Sequence, residues 1–172
     1  LLFVKNSECL KLAGIVNKGN FVKNKRKMSK LIPIGCDHAG FEMKEKIKEH
    51  LIANGYEVED FGCYSEESID YPDYGHPVAS KVEANAGMLG VLICGSGNGI
   101  NMTANKHAGI RSALCWKPEL AELARLHNNA NIIALPARFV SIEEGIAMVD
   151  VFLGTAFEGG RHANRVNKIA CA

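Results

Sequence analysis

The segment with the most chemistry in this sequence is Cys94-Gly95-Ser96-Gly97-Asn98-Gly99, which places a thiol, a hydroxyl and three alternating glycines directly after the apolar run Val91-Leu92-Ile93. Glycine at alternate positions lets successive amide N–H groups point the same way and lets a ligand approach the main chain without meeting a Cβ. A helix starting just after such a loop adds free N–H groups and a positive dipole end, so a phosphate or an oxyanion is the expected ligand. Cys94, between a strand and that helix, is expected to have a thiol pKa lowered from about 8.5 and to act as a base or a nucleophile. The loop alone leaves a second reading open, a tight strand-to-helix turn with a buried, inert cysteine. That inert reading is the expectation for Cys36, Cys63 and Cys115.

Other residues of suitable type are scattered along the chain. His127, followed by Asn128, ends a helical pattern, where an imidazole serves either as a dipole-complementing cap or as a proton carrier near neutral pH. His38 next to Asp37 offers the same choice. Arg161 and Arg165 lie four apart, on one helix face, just after Gly159-Gly160. The sequence from residue 31 onward has only five arginines, so two side by side point to an anion clamp, since guanidinium binds phosphate as a bidentate fork. Arg138, in a loop after the apolar run at 132–135, can join them. No Lys-Ser or Lys-Thr follows the glycines, and Gly95-x-Gly97-x-Gly99 is not the Gly-x-Gly-x-x-Gly dinucleotide fingerprint. What remains suits proton transfer on a phosphorylated small molecule.

The elements that must hold these residues follow from apolar patterning. Strands are expected at 31–36, 56–62, 89–94, 111–115 and 131–135. Helices fall between them: Phe41, Met43, Ile47, Leu51 and Ile52 at helical spacing with Gly55 as the stop, then 76–86, about 100–106, 118–128 with Pro118 at its start, one opened by Ser141 with Glu144 three residues on, and a last short helix around 161–169. Residues 68–74 read as irregular. Short apolar strands alternating with amphipathic helices predict a doubly wound, Rossmann-like α/β fold, a five-stranded parallel sheet sandwiched by helices. Such sheets bind ligands beyond the carboxyl ends of their strands, so Asp37-His38 and the Cys94 loop are expected on one rim.

The 172 residues carry 20 Lys and Arg against 19 Asp and Glu, but the charge is uneven. Residues 1–30 hold seven Lys and one Arg against Glu8, net +7, and the remainder holds 12 basic against 18 acidic residues, net −6. A mildly acidic folded part argues against nucleic acid as partner. No apolar run approaches the ~18 residues of a membrane span. Residues 1–27 are expected to be a basic extension without fold, with residues 28–172 as a single α/β domain. Six cysteines without C-x-x-C pairs or metal-type spacing suggest a reduced, cytoplasmic setting and no metal.

Several pieces together resemble the family of ribose-5-phosphate isomerase B and the galactose- and allose-6-phosphate isomerases: residues 35–40, Asp70-Tyr71-Pro72, the loop from Cys94 to Gly99, Ala104-Asn105-Lys106, Gly109-Ile110-Arg111, His127-Asn128 and Glu158-Gly159-Gly160-Arg161-His162-x-x-Arg165. They occur in family order from about residue 31 onward. The resemblance implies a cofactor-free aldose–ketose isomerase acting through a cis-enediolate on ribose 5-phosphate, or alternatively on allose or galactose 6-phosphate. Cys94 would be the base, Ser96 and the amides of Gly95, Gly97, Asn98 and Gly99 would stabilise the enediolate oxygen, and His127 would open the sugar ring. Asp37, His38, Tyr71, Asn128, Arg138, Arg161 and Arg165 would hold hydroxyls and phosphate. Some members use a glutamate directly after the glycine loop as base; here that position is Ile100, so the chain looks like the cysteine type. Ser96 stands where threonine is common, and Asn129 where aspartate often follows His-Asn. The resemblance also implies a homodimer or homotetramer with a shared site, a C-terminal helix reaching the partner, and His127, Asn128 and Arg138 supplied by the neighbouring subunit.

Overall fold

A computed structural model describes residues 30–169; the expected extension at 1–27 lies outside them. The strands are β1 (Leu31–Cys36), β2 (Glu57–Asp60), β3 (Gly90–Cys94), β4 (Ser112–Leu114) and β5 (Ile132–Pro136). They form one parallel sheet in the order β2-β1-β3-β5-β4. The helices are α1 (Phe41–Ala53), α2 (Pro72–Glu83), α3 (Asn98–Ala104), α4 (Pro118–Asn128), α5 (Ile142–Gly154) and α6 (Arg161–Val166). The doubly wound five-stranded sheet is thus the one expected.

Alternation along the strands assigns each side chain to a face. Val91 and Ile93 of β3, with Ile133 and Leu135 of β5, pack under α1, α4 and α5 through Ile47, Leu51, Ala121, Met148 and Phe152. Leu92 and Cys94, with Ile132 and Ala134, face α2 and α3 through Val78, Val82, Ile100 and Ala104. This period of two delivers the Cys94 thiol to the α2–α3 side of the sheet. Pro33 lies just before β1 begins to pair with β3 at Ile34 and Val91, where its missing N–H is tolerated.

Helix ends follow local chemistry. Ser141 and Glu144 form the expected capping box, Glu144 N–H to Ser141 Oγ at 3.2 Å and Ser141 N–H to Glu144 Oε2 at 2.7 Å. Gly55, at φ 82°, follows the end of α1. One boundary differs: α2 begins at Pro72, inside the stretch read as irregular, and runs through Pro77 to end at Glu83. Proline at the first position starts a helix well, and its packing on α3 carries it past the second proline. Among the described residues no helix is long and apolar enough to cross a membrane.

Candidate active site

Because all strands are parallel, the carboxyl ends of β1 and β3 meet at one rim, and the loops leaving them interlock. Asp37 N–H donates to the Ile93 carbonyl at 3.0 Å. The buried Asp37 carboxylate accepts from Gly40 N–H at 3.0 Å and from Gly95 N–H at 3.3 Å, so it caps the turn His38–Gly40 and clasps the glycine loop. The His38 ring lies in that turn, and its Nδ1 accepts from Ile69 N–H at 3.4 Å.

Close neighbours surround the glycines of the loop, and at Gly97 and Gly99 they leave no room for a side chain. At Gly99 a Cβ would lie 2.5 Å from the ring of Tyr71, the residue that caps α2. Gly97 has φ 72° and a Cβ would run into Leu114. At Gly95 it would lie 3.2 Å from Arg138 Nε, and Arg138 N–H donates to the Gly95 carbonyl at 3.0 Å. Arg138 therefore belongs to the Cys94 loop of its own chain. This corrects the expectation that it stands with His127 on a neighbour: the turn after β5 runs alongside the end of β3, where Cys94 pairs with Pro136.

The thiol environment also differs from expectation. Burial, first, and the hydrogen-bonding Asp37 carboxylate, second, push the Cys94 pKa up, not down. The amides of Gly97 and Ser96 point at the sulfur and favour thiolate as the helix-terminus argument requires, but they are outweighed. Nor are all loop amides free: Gly95 N–H is taken by Asp37, and Asn98 N–H reaches Ser96 Oγ at 3.4 Å. Beside the loop opens a cleft of about 770 Å³ bordered by Ser96, Asn98, Leu114, Trp116 and Phe139, the last two 51% and 74% exposed.

A second group gathers elsewhere. Gly90 pairs with Ile132 and Cys94 with Pro136, so Ile132 lies roughly 13 Å along the strands from Cys94. His127 and Asn128 end α4 and precede Ile132, on the opposite rim. There α6 docks on α4, and Glu158 N–H donates to the Leu126 carbonyl at 3.1 Å. The His127 ring stacks on the buried His162, centroids 4.1 Å apart and planes 2° from parallel. Glu158 Oε2 lies 3.8 Å from His127 Nε2 and 3.7 Å from His162 Nε2, and Arg161 Nε reaches His162 Nε2 at 3.4 Å. Arg161 and Arg165 thus sit with His127, not with Cys94. His127, Glu158 and His162 bring three potential ligand atoms within 4.8 Å of one another, but parallel stacked rings offer a metal no point lying in both ring planes. The roles of Glu158 and His162 escaped the sequence reading because 31 residues separate Glu158 from His127.

Fold and site together define a doubly wound α/β protein with a buried thiol at the carboxyl rim, ringed by a carboxylate, a glycine loop and an arginine. The chain belongs to the Ribose/Galactose Isomerase family, whose profile matches residues 32–169. It is 46% identical over 140 residues to ribose-5-phosphate isomerase B of Escherichia coli, covering 81% of this chain and 94% of that protein. Among solved structures, a ribose 5-phosphate isomerase of this type from Thermotoga maritima is 51% identical with a TM-score of 0.80, covering 82% of this chain and 97% of that one. The Mycoplasma genitalium enzyme, solved with bound ribulose 5-phosphate, is 46% identical with a TM-score of 0.80, covering 83% and 95%.

Proposed function

We propose that this chain interconverts ribose 5-phosphate and ribulose 5-phosphate, with Cys94 as the base that carries a proton between C2 and C1 through a cis-enediolate. The observation that carries the reading is the Cys94 thiol held between Asp37 and the Ser96 and Gly97 amides, in a chain 46–51% identical to isomerases of that name. A thiol with a raised pKa is scarce as thiolate but strong as a base toward a C–H proton. The amides aimed at sulfur stabilise the thiolate when the proton leaves. The Ser96 hydroxyl and the free N–H groups in the first turn of α3 are donors for the enediolate oxygen. Tyr71, His38 and Arg138 frame the sugar on the same rim.

His127 opens the furanose ring and Asn128 holds a hydroxyl, while Arg161 and Arg165 clamp the phosphate. In one chain these four lie on the rim opposite Cys94, so a second copy completes each site, its His127 face laid against the Cys94 loop. The protein is therefore a homodimer or a higher assembly of such dimers. A coupled assay with ribose 5-phosphate, allose 6-phosphate and galactose 6-phosphate tests the substrate. The expected result is the highest kcat/KM with ribose 5-phosphate; no turnover of that sugar would refute the proposal.

A further inference from the structure

Arg111 and Arg125 enter neither half of the site described above, yet both are partly buried at the rim where the strands begin, just before β4 and in the last turn of α4. They converge on one residue. Arg111 Nε donates to the Asn129 carbonyl at 2.9 Å, and Arg125 Nη1 donates to the Asn129 side-chain oxygen at 3.1 Å. Arg125 also donates to the carbonyls of Thr155, at 3.2 Å, and Ala130, and its guanidinium lies 5.6 Å from the centroid of the Phe152 ring. Both groups are thus held in place by neutral partners. Among the described residues neither has a carboxylate oxygen within 4.0 Å.

Between the two arginines opens a cavity of about 290 Å³ whose wall includes Gly87, Gly109 and Asn131. Glu83 is the acidic residue on that wall, and its carboxylate is already engaged, accepting from Gly109 N–H at 2.7 Å and lying 3.2 Å from His107 Nδ1. The described hydrogen bonds of the Arg111 side chain use only Nε, and the residue lines this cavity together with Arg125. Burial lowers the pKa of both arginines, and the charge of Arg111 lowers that of Arg125 further. Two fixed guanidinium groups without an anionic partner carry a desolvation and repulsion cost that a bound oxyanion removes.

We propose that this cavity is a second oxyanion site, separate from the catalytic one, which takes a phosphate group between Arg111 and Arg125. The guanidinium fork matches tetrahedral oxyanion geometry, and the cavity has room for phosphate with its first hydration shell or a short ester chain. His127, Arg161 and Arg165 do not line it, and Cys94 lies at the other rim. Occupancy bears on catalysis through α4, because Arg125 and Asn129 bracket His127 and Asn128 at the end of that helix.

The test uses inorganic phosphate and the full chain carrying Arg161→Ala and Arg165→Ala, which removes the proposed phosphate clamp of the active site. Backbone amide NMR is expected to show saturable shifts at Gly87, Gly109 and Asn131. Arg111→Gln in that background is expected to weaken binding at least about tenfold, or about 1.4 kcal/mol, in a protein whose circular-dichroism melt stays cooperative. If Arg111→Gln fails to fold, Arg111→Lys, which keeps the charge but loses the fork, is expected to weaken binding by a similar factor. No saturable shift at those amides, or an unchanged affinity in a folded Arg111 variant, overturns the proposal. None of these readouts depends on isomerase turnover, so the site stands or falls apart from the proposed reaction.

Discussion

His127 and His162 stack face to face at 4.1 Å, with both Nε2 atoms turned toward the same oxygen of Glu158. Two imidazoles this close share one carboxylate and resist carrying two positive charges. Burial, first, and the neighbouring His127, second, lower the His162 pKa. Imidazole NMR across pH 5 to 8 is expected to find His162 neutral at the pH where an ordinary histidine is half protonated. His162 binds its proton more readily in the unfolded chain, so folding weakens as pH falls below about 6.5. His162→Phe keeps a stacking ring and is expected to flatten that slope; an unchanged slope would mean the stack does not govern the titration.

Cys94 and Asp37 form the next testable pair. Cys94→Ala is expected to lower kcat by at least about 10³-fold while sugar phosphate still binds, in line with the loss of a general base. Asp37→Asn keeps the shape but removes the charge that raises the thiol pKa. Iodoacetamide should then alkylate Cys94 faster at pH 8 than in the parent protein. Equal rates would assign the raised pKa to burial alone.

Gly99 has its Cβ position occupied by the Tyr71 ring. Gly99→Ala must therefore displace Tyr71 and the start of α2, at an expected cost of about 1–3 kcal/mol for overpacking. Tyr71→Ala should absorb most of that cost, so denaturant melts of the two single variants and the double variant should be strongly non-additive. Additive effects would show that the contact does not hold the loop.

Buried thiols set an alkaline limit. Burial pushes Cys115 up to about 12 and raises Cys36 as well. These thiols keep their protons in the folded state while the unfolded chain loses its own near pH 8.5, so the stability they contribute is present below that pH and is lost as pH rises toward 12. Each is expected to cost about 1.4 kcal/mol per pH unit in that window. Melts of Cys115→Ala between pH 8 and 11 are expected to show a shallower decline than the parent protein; a parallel decline would remove Cys115 from the account.

The fold was legible because local signals agreed with the final packing. The apolar strands, the Ser141–Glu144 box, Pro118 and Gly55 each act within a few residues. So was the meeting of Asp37 with the glycine loop, since parallel strand ends share a rim. What escaped depends on distant partners. Lys44 is fully buried on α1 because Asp60 of β2 pairs with it at 2.8 Å. The Cys94 pKa is raised by burial and, second, by Asp37, 57 positions earlier. Arg138 joins the Cys94 loop only because β5 lies beside β3, a neighbour relation that strand order in the sequence conceals.

In the proposed site Cys94 of one chain works with His127 of another, and mixing two variants distinguishes such a shared site from one contained in a single chain. Cys94→Ala and His127→Ala proteins, each expected to be inactive on ribose 5-phosphate, are unfolded together and refolded. A mixed dimer carries both substitutions in one site and none in the other, so random pairing is expected to restore about a quarter of parent activity. A mixture that stays as inactive as its components would contradict a site shared between subunits.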